Sequence, residues 1–170
     1  MLLEIAIGDA YGAAFEFVPE RLTRGHRVGP YARHPTHDIA PGCYTDDTQM
    51  SIAVAELLVS GASFSRANLA DRFVSAFHRD PRVGYARGFY GFLQTVHSGR
   101  EFLAGIRPTS SKNGAAMRSV PLGVCPHRFT VVERAVMQAR LTHDTPEGIG
   151  AAAAVALMSH YFIYQCGAKN

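Results

Sequence analysis

The chain has 170 residues, enough for one ordinary domain with a core of its own. Its apolar content of 47% and charged content of 18% describe a globular protein and exclude a disordered one. A net charge of +3, scattered apart from a loose group at Arg79, Arg82 and Arg87, is too weak and too dispersed for nucleic-acid binding. Cys43, Cys125 and Cys166 are odd in number, widely spaced and without zinc-ligand spacing. They suit free thiols in a reducing compartment, so a cytoplasmic location is the default expectation.

Residues 1–7 are apolar, but Glu4 and Asp9 intrude and no basic stretch precedes them, which argues against a signal peptide. Gly8-Asp9-Ala10-Tyr11-Gly12-Ala13, followed by Glu16, reads as a small-residue turn. Such residues admit a ligand closely, and helix packing would use them equally well. Residues 18–43 hold several Gly, Pro and His without a clear period and read as loop. Next comes Thr45-Asp46-Asp47-Thr48, directly before Met50, Ala53, Val54, Leu57 and Leu58, which mark one apolar helix face that stops at Gly61. Both carboxylates then fall in a first helical turn, where negative charge is favoured. Carboxylate and hydroxyl oxygens suit a hard cation such as Mg²⁺. Acidic first turns capped by Thr are also common in helices that bind nothing, so these four residues leave both readings open.

Further helices are expected over residues 65–79, ended by Pro81, and around Phe89, Phe92, Leu93 and Val96, stopping near Gly99. Residues 113–122 form a plausible short helix. Ser110-Ser111-Lys112-Asn113-Gly114 ahead of it could converge N–H donors on an anion, or could simply cap the helix. It is no Walker A loop. Thr130 and Glu133 read as a capping box before a face of Val132, Ala135, Val136 and Ala139. Thr145, then Pro146 at the first helical position, opens a last helix running beyond Tyr161. Residues 148–166 carry little polarity, and a central helix packed on all sides explains them better than a membrane span. His143, just ahead of that cap, is either a cleft residue or an ordinary surface group. With no alternating run, repeat or linker, the reading is one all-α domain over residues 1–170.

Each of these signals is modest, but their order is specific. Gly8-Asp9-x-x-Gly12-Ala13-x-x-Glu16, Thr45-Asp46-Asp47-Thr48-Gln49-Met50, Arg82-Val83-Gly84-Tyr85, Ser111-Lys112-Asn113-Gly114-Ala115-Ala116-Met117-Arg118 and Thr142-His143-x-x-Pro146-Glu147-x-Ile149 follow one another along the chain. The series resembles the ADP-ribosylglycohydrolase family, which includes dinitrogenase reductase-activating glycohydrolase. The resemblance implies an all-α orthogonal helical bundle around a binuclear Mg²⁺ or Mn²⁺ centre. It implies hydrolytic removal of ADP-ribose from a modified protein or a small ADP-ribosyl conjugate. It makes Thr45, Asp46 and Asp47 metal ligands, and Glu16, with Asp46 and Asp47, catalytic. It gives Ser110, Ser111, Asn113 and Gly114 to a diphosphate and ribose pocket, and His143 to a ribose contact, with Gly84 and Tyr85 lining the cleft.

The family completes its metal pair with a later Asp-x-Asp-Thr segment. After Asp144 the only acid here is Glu147. The resemblance therefore implies a chain corresponding to the N-terminal portion of the family domain, with half of the metal site missing. Three outcomes follow: a hydrolase, an ADP-ribose-binding remnant without turnover, or an incomplete domain that self-associates through exposed apolar surface. No nucleic-acid or membrane partner is expected.

Overall fold

In the computed structural model, residues 1–24 and 29–164 are described. Among these residues the chain is all-helical, and its sole β-type pairing is an isolated antiparallel bridge between Thr109 and His143. The helices are α1 (Leu2–Gly12), α2 (Glu20–Thr23), α3 (Asp46–Val59), α4 (Arg66–Arg79), α5 (Arg87–Thr95), α6 (Gly99–Gly105), α7 (Gly114–Met117), α8 (Arg128–Ala139) and α9 (Pro146–Tyr164). A 3₁₀ turn covers Val120–Val124.

Helix α3 is the axis of the molecule. It packs against α1 on one side and α4 on another, and it touches α7 and the 3₁₀ turn. Its Met50, Ala53, Val54 and Leu57 are buried together with Leu69, Phe73, Ala76 and Phe77 of α4. Phe102 of α6, Leu122, and Val131 and Ala135 of α8 join the same core. Burying each large side chain of this set contributes roughly 1.5–3 kcal/mol, and that packing makes short helices such as α6 viable. Ser65 caps α4 by accepting the Asn68 N–H at 3.3 Å, and Ser98 caps α6 by accepting the Glu101 N–H at 3.2 Å. Thr145 caps α9 by accepting the Gly148 N–H at 3.1 Å.

Several expectations are corrected. The small-residue segment at Gly8 is not a turn, because residues 8–12 are the last part of α1. Its glycines sit on a helix that touches α3 and buries Ala10, and its Leu, Ile and Ala residues offset the low helix propensity of glycine. The short helix expected over residues 113–122 divides into α7 and the 3₁₀ turn, since Pro121 has no N–H to continue an α-helix. Helix α8 starts at Arg128, with His127 as its cap and no side-chain capping bond, so Thr130 lies inside the helix and forms no capping box. Its buried face is Val131, Ala135, Gln138 and Ala139, so Ala135 and Ala139 are buried as expected while Val131 and Gln138 take the places expected of Val132 and Val136. Helix α2 lies within the stretch read as loop, and α6 had no expectation at all.

Helix α9 is not enclosed on all sides. It buries Gly148, Ala152, Ala156 and His160 against α7, the 3₁₀ turn and α8, while Met158, Tyr161, Phe162, Ile163 and Tyr164 are exposed. No helix among the described residues is long and apolar enough to cross a membrane. Cys43 and Cys125 are free thiols, and Cys166 lies outside the described residues.

Candidate functional site

The Thr45–Thr48 segment forms the start of α3, with Thr45 extended at the cap position and Asp46 and Asp47 in the first turn. Thr45 does not cap α3 with its own side chain. The cap comes from α1 instead. The Asp9 carboxylate accepts the Thr45 N–H at 2.8 Å and its hydroxyl at 2.7 Å, and the Thr48 N–H at 3.1 Å and its hydroxyl at 2.6 Å. A charged acceptor at a helix N-terminus stabilises the exposed N–H groups and matches the helix dipole. Asp9 thereby leaves Asp46 and Asp47 free of any capping duty.

The Asp46 N–H donates to Val83 O at 3.0 Å, which anchors the 80–86 loop to the α3 terminus. Gln49 holds the other end of that loop. Its side-chain amide donates to Ala76 O at 3.1 Å and Asp80 O at 2.5 Å, and its Oε1 accepts the Tyr85 hydroxyl at 2.6 Å. Gly84 sits over Asp46 with φ of +106°, and a Cβ there would come within 2.0 Å of Asp46 Oδ1. Only glycine satisfies both the backbone angle and that approach.

Asp46 and Asp47 line a cavity of about 950 Å³, within the usual range for small-molecule sites. Gly84, Tyr85, Phe89 and Phe92 form one wall. Ser110, Lys112, Asn113, Gly114, Arg118, Thr142 and His143 form another, and Glu16, Phe17, His34 and His37 contribute from the segment between α1 and α3. The Thr109–His143 bridge, reinforced by Ser110 N–H to Thr142 O at 3.3 Å and Asp144 N–H to Pro108 O at 2.7 Å, brings the Ser110 segment beside His143. Two of the sequence motifs, more than thirty residues apart, thus meet at one edge of the cavity. Thr45 and Ser111 are not among the lining residues. Glu16 and Asp47 also line a second cavity of about 500 Å³, with Asp9, so they stand at the partition between the two.

The electrostatics single out the same carboxylates. Burial, then the Asp47 charge, pushes Asp46 up to about 7. Burial, then Asp9 and Glu16, pushes Asp47 up to about 6. No ion pair among the described residues involves either group. Crowded acids that no protein cation neutralises favour either a shared proton or a bound cation. On the far wall, burial and the Arg118 charge push His143 down to about 4, so it is neutral at pH 7. Arg118 itself is buried, and desolvation lowers it to about 9. Its guanidinium lies 4.6 Å from the Phe73 ring centroid.

Whether these residues fit a divalent cation follows from the donor set. Asp46 and Asp47 offer hard oxygen ligands with unneutralised charge, and Thr45 keeps hydroxyl lone pairs while its hydrogen goes to Asp9. Among the described residues no group of three or more His, Cys, Asp or Glu side chains is gathered closely enough to hold a metal. The donors fit one side of a hard-cation site and not a complete binuclear one.

Sequence reasoning missed the capping role of Asp9, the buried Arg118–Gln138 pair, and His34. His34 accepts the N–H groups of Thr36 at 3.0 Å and His37 at 2.8 Å on Nδ1, so its Nε2–H donates to Glu16 O at 2.8 Å. The adjacent Phe17 has φ of +56°, the sole non-glycine in that region among the described residues. A strained backbone beside a cavity-lining acid is a structural signal with no sequence counterpart. For Asp9 and Arg118 the signal was present, since both fall inside quoted motifs.

Comparison with known proteins identifies the family. The family model for ADP-ribosylglycohydrolase matches residues 1–169. The chain is 29% identical to the ADP-ribosyl-[dinitrogen reductase] glycohydrolase of Rhodospirillum rubrum, over 98% of this chain and 58% of that protein. It is 31% identical to ADP-ribosylhydrolase ARH3 of Xenopus tropicalis, over 94% of this chain and 48% of that protein. It is 26% identical to ADP-ribosylarginine hydrolase Tri1 of Pseudomonas putida, over 94% and 44% respectively. The chain therefore spans about half the length of the curated relatives it matches. With the match extending over nearly every residue, the chain belongs to the ADP-ribosylglycohydrolase family.

Proposed function

We propose that this chain is a hydrolase that removes ADP-ribose from modified protein side chains or small ADP-ribosyl conjugates, with Mg²⁺ or Mn²⁺ held against Asp46 and Asp47. The observation that carries this reading is the pair of crowded, cation-deficient carboxylates in the wall of a cavity that also holds Asn113, Gly114 and His143. Thr45, Asp46 and Asp47 would hold the metal. A bound divalent cation would supply positive charge to orient ribose hydroxyls and an attacking water.

The chain's own residues would do the following. Glu16, at the partition, serves as proton acceptor or donor beside the leaving group. Breaking the bond at ribose C1″ builds positive charge on the ring. Ser110, Asn113 and Gly114 bind the diphosphate and ribose, with Lys112 adding a cation to the same wall, while Ser111 stands outside the lining and takes no part. His143 bonds the ribose. Phe89 and Phe92 offer apolar surface for the base. A cytoplasmic location accords with the free thiols of Cys43 and Cys125. The exposed apolar side chains at Leu3, Ile7, Phe129 and the end of α9 support self-association, which light scattering across a concentration series would read.

A second reading, nucleotide binding without turnover, is favoured by one observation. Among the described residues, the acids gathered at the site fall short of a full binuclear set. Residues 1–170 would then act as one all-α unit that holds ADP-ribose without cleaving it. The test is ADP-ribose release from ADP-ribosylated arginine and serine peptides across an Mg²⁺ and Mn²⁺ titration, alongside calorimetry with ADP-ribose. Metal-dependent release that is lost in Asp46→Ala and Asp47→Ala supports the hydrolase. Binding with no product at any metal concentration supports the second reading, and neither binding nor release overturns both.

A further inference from the structure

The cavity wall opposite the aspartates carries a hydrogen-bond chain whose direction can be worked out from donors and acceptors alone. It starts at Gln138, which is fully buried. Arg118 Nε donates to Gln138 Oε1 at 2.6 Å, and Gln138 Nε2 donates to Ala115 O at 2.9 Å and Ser119 Oγ at 2.8 Å. Those partners fix which way the amide faces. Arg118 Nη2 donates to Gln138 O at 3.0 Å and to Thr142 Oγ1 at 2.7 Å. A guanidinium has no acceptor, so the Thr142 oxygen must accept from it. Thr142 then has one hydrogen to give. Its other partner is His143 Nδ1, at 2.7 Å, and among the described residues the hydroxyl has no further acceptor. Giving that hydrogen to Nδ1 satisfies the hydroxyl within the protein, which makes Nδ1 the accepting nitrogen and puts the ring proton on Nε2.

The ring is also held in place. His143 is only 7% exposed, and a Cβ on Gly114 would lie 3.0 Å from its Cε1 and 3.2 Å from its Nε2. The absence of a side chain at position 114 lets the imidazole edge come close to the start of α7. Nε2 has no protein acceptor among the described residues, and His143 lines the cavity.

We propose that Thr142 is a positioning residue that, oriented by Arg118, locks His143 as an Nε2–H donor into the cavity. The site would then select a ligand that presents an acceptor there, as a ribose hydroxyl oxygen does. The ligand half of this inference rests on the function proposed above, and the tautomer half does not.

The two halves are tested separately. Long-range proton–nitrogen correlation spectra of the isotope-labelled full chain at pH 7, without ligand, read the His143 tautomer directly. The expected result is a single Nε2–H form in the wild type and in Thr142→Ser, which keeps the hydroxyl. Thr142→Val keeps the shape and removes the hydroxyl, so it should give a mixture of tautomers. An Nδ1–H form in the wild type, or an unchanged single Nε2–H form in Thr142→Val, overturns the proposal. Titration calorimetry with ADP-ribose then reads the consequence. Affinity should fall roughly tenfold in Thr142→Val and recover in Thr142→Ser, as expected for one misdirected buried hydrogen bond. Absence of ADP-ribose binding in the wild type, with the Nε2–H tautomer intact, upholds the relay and overturns the reading of the pocket.

Discussion

Asp9 Oδ2 accepts the Thr48 hydroxyl at 2.6 Å, and through this and three further bonds a residue of α1 caps α3 from outside. Removing the carboxylate leaves two N–H groups and two hydroxyls without a partner at the edge of the core. Asp9→Ala should cost about 3 kcal/mol, lowering Tm by roughly 6–12 °C in a chain of this size. Asp9→Asn, which keeps one acceptor, should cost about half as much. Thermal unfolding by circular dichroism checks both, and a loss under about 0.5 kcal/mol in Asp9→Ala would mean the cap is ornamental.

The stability of the metal-free chain should depend on pH with a definite sign. Asp46 is raised to about 7 in the folded state, so between about pH 4 and pH 7 the folded chain holds a proton that the unfolded chain has lost. Stability from this group is therefore present at low pH and declines as pH rises through 7. Asp47, raised to about 6, acts in the same direction. His143 opposes them, since its value is lowered to about 4 and protonating it costs stability below its ordinary range near pH 6.5. Asp46→Asn should match the wild type near pH 4 and exceed it by on the order of 2 kcal/mol at pH 8. Urea midpoints across that range give the measurement, and parallel curves for the two proteins would refute it.

A divalent cation should reverse the trend. Mg²⁺ or Mn²⁺ competes with the proton for Asp46 and Asp47, so its stabilising effect should be larger at pH 8 than at pH 5.5. A thermal shift of about 3 °C or more at millimolar cation and pH 8 should disappear in Asp46→Ala and in Asp47→Ala. Equal shifts in the wild type and both variants would indicate non-specific ion effects.

Gly84 provides a sharper probe of the same carboxylate. Gly84→Ala places a Cβ 2.0 Å from Asp46 Oδ1 on a backbone with φ of +106°, so either the loop or the aspartate must move. The expected cost is about 2–4 kcal/mol, together with loss of the cation-dependent thermal shift. Gly61→Ala, at a positive φ of +72° but with nothing near its Cβ, is the matched control and should leave the cation response intact.

The helices that carry a long apolar stripe were legible in the sequence. In α3, Met50, Ala53, Val54 and Leu57 form the expected buried face, and in α4, Leu69, Phe73, Ala76 and Phe77 do the same. What the sequence hid was set by tertiary contact. The seven residues of α6 are too few to display a period, and α6 exists because Phe102 enters the core. The start of α8 was misjudged because Thr130 and Glu133 fit a capping pattern that the helix, already formed two residues earlier, had no need of. The ordered motifs brought Asp46, Asp47, Asn113, Gly114 and His143 to notice. They could not reveal that Arg118 lies behind Thr142, because a buried arginine without a carboxylate partner runs against every compositional expectation.

The narrow flank of α9 sets how this part of the molecule can vary. Gly148, Ala152 and Ala156 recur every four residues where the helix meets α7, α8 and the 3₁₀ turn. Ala152 and Ala156 are each 0% exposed. A backbone held that near its neighbours has no room for an added methylene, so enlargement along this line would wedge the helix away from the segment that carries His143. Between those positions the surface is permissive. Replacements in this stretch of any related sequence should therefore rise and fall with the helical turn, with the crowded line changing least.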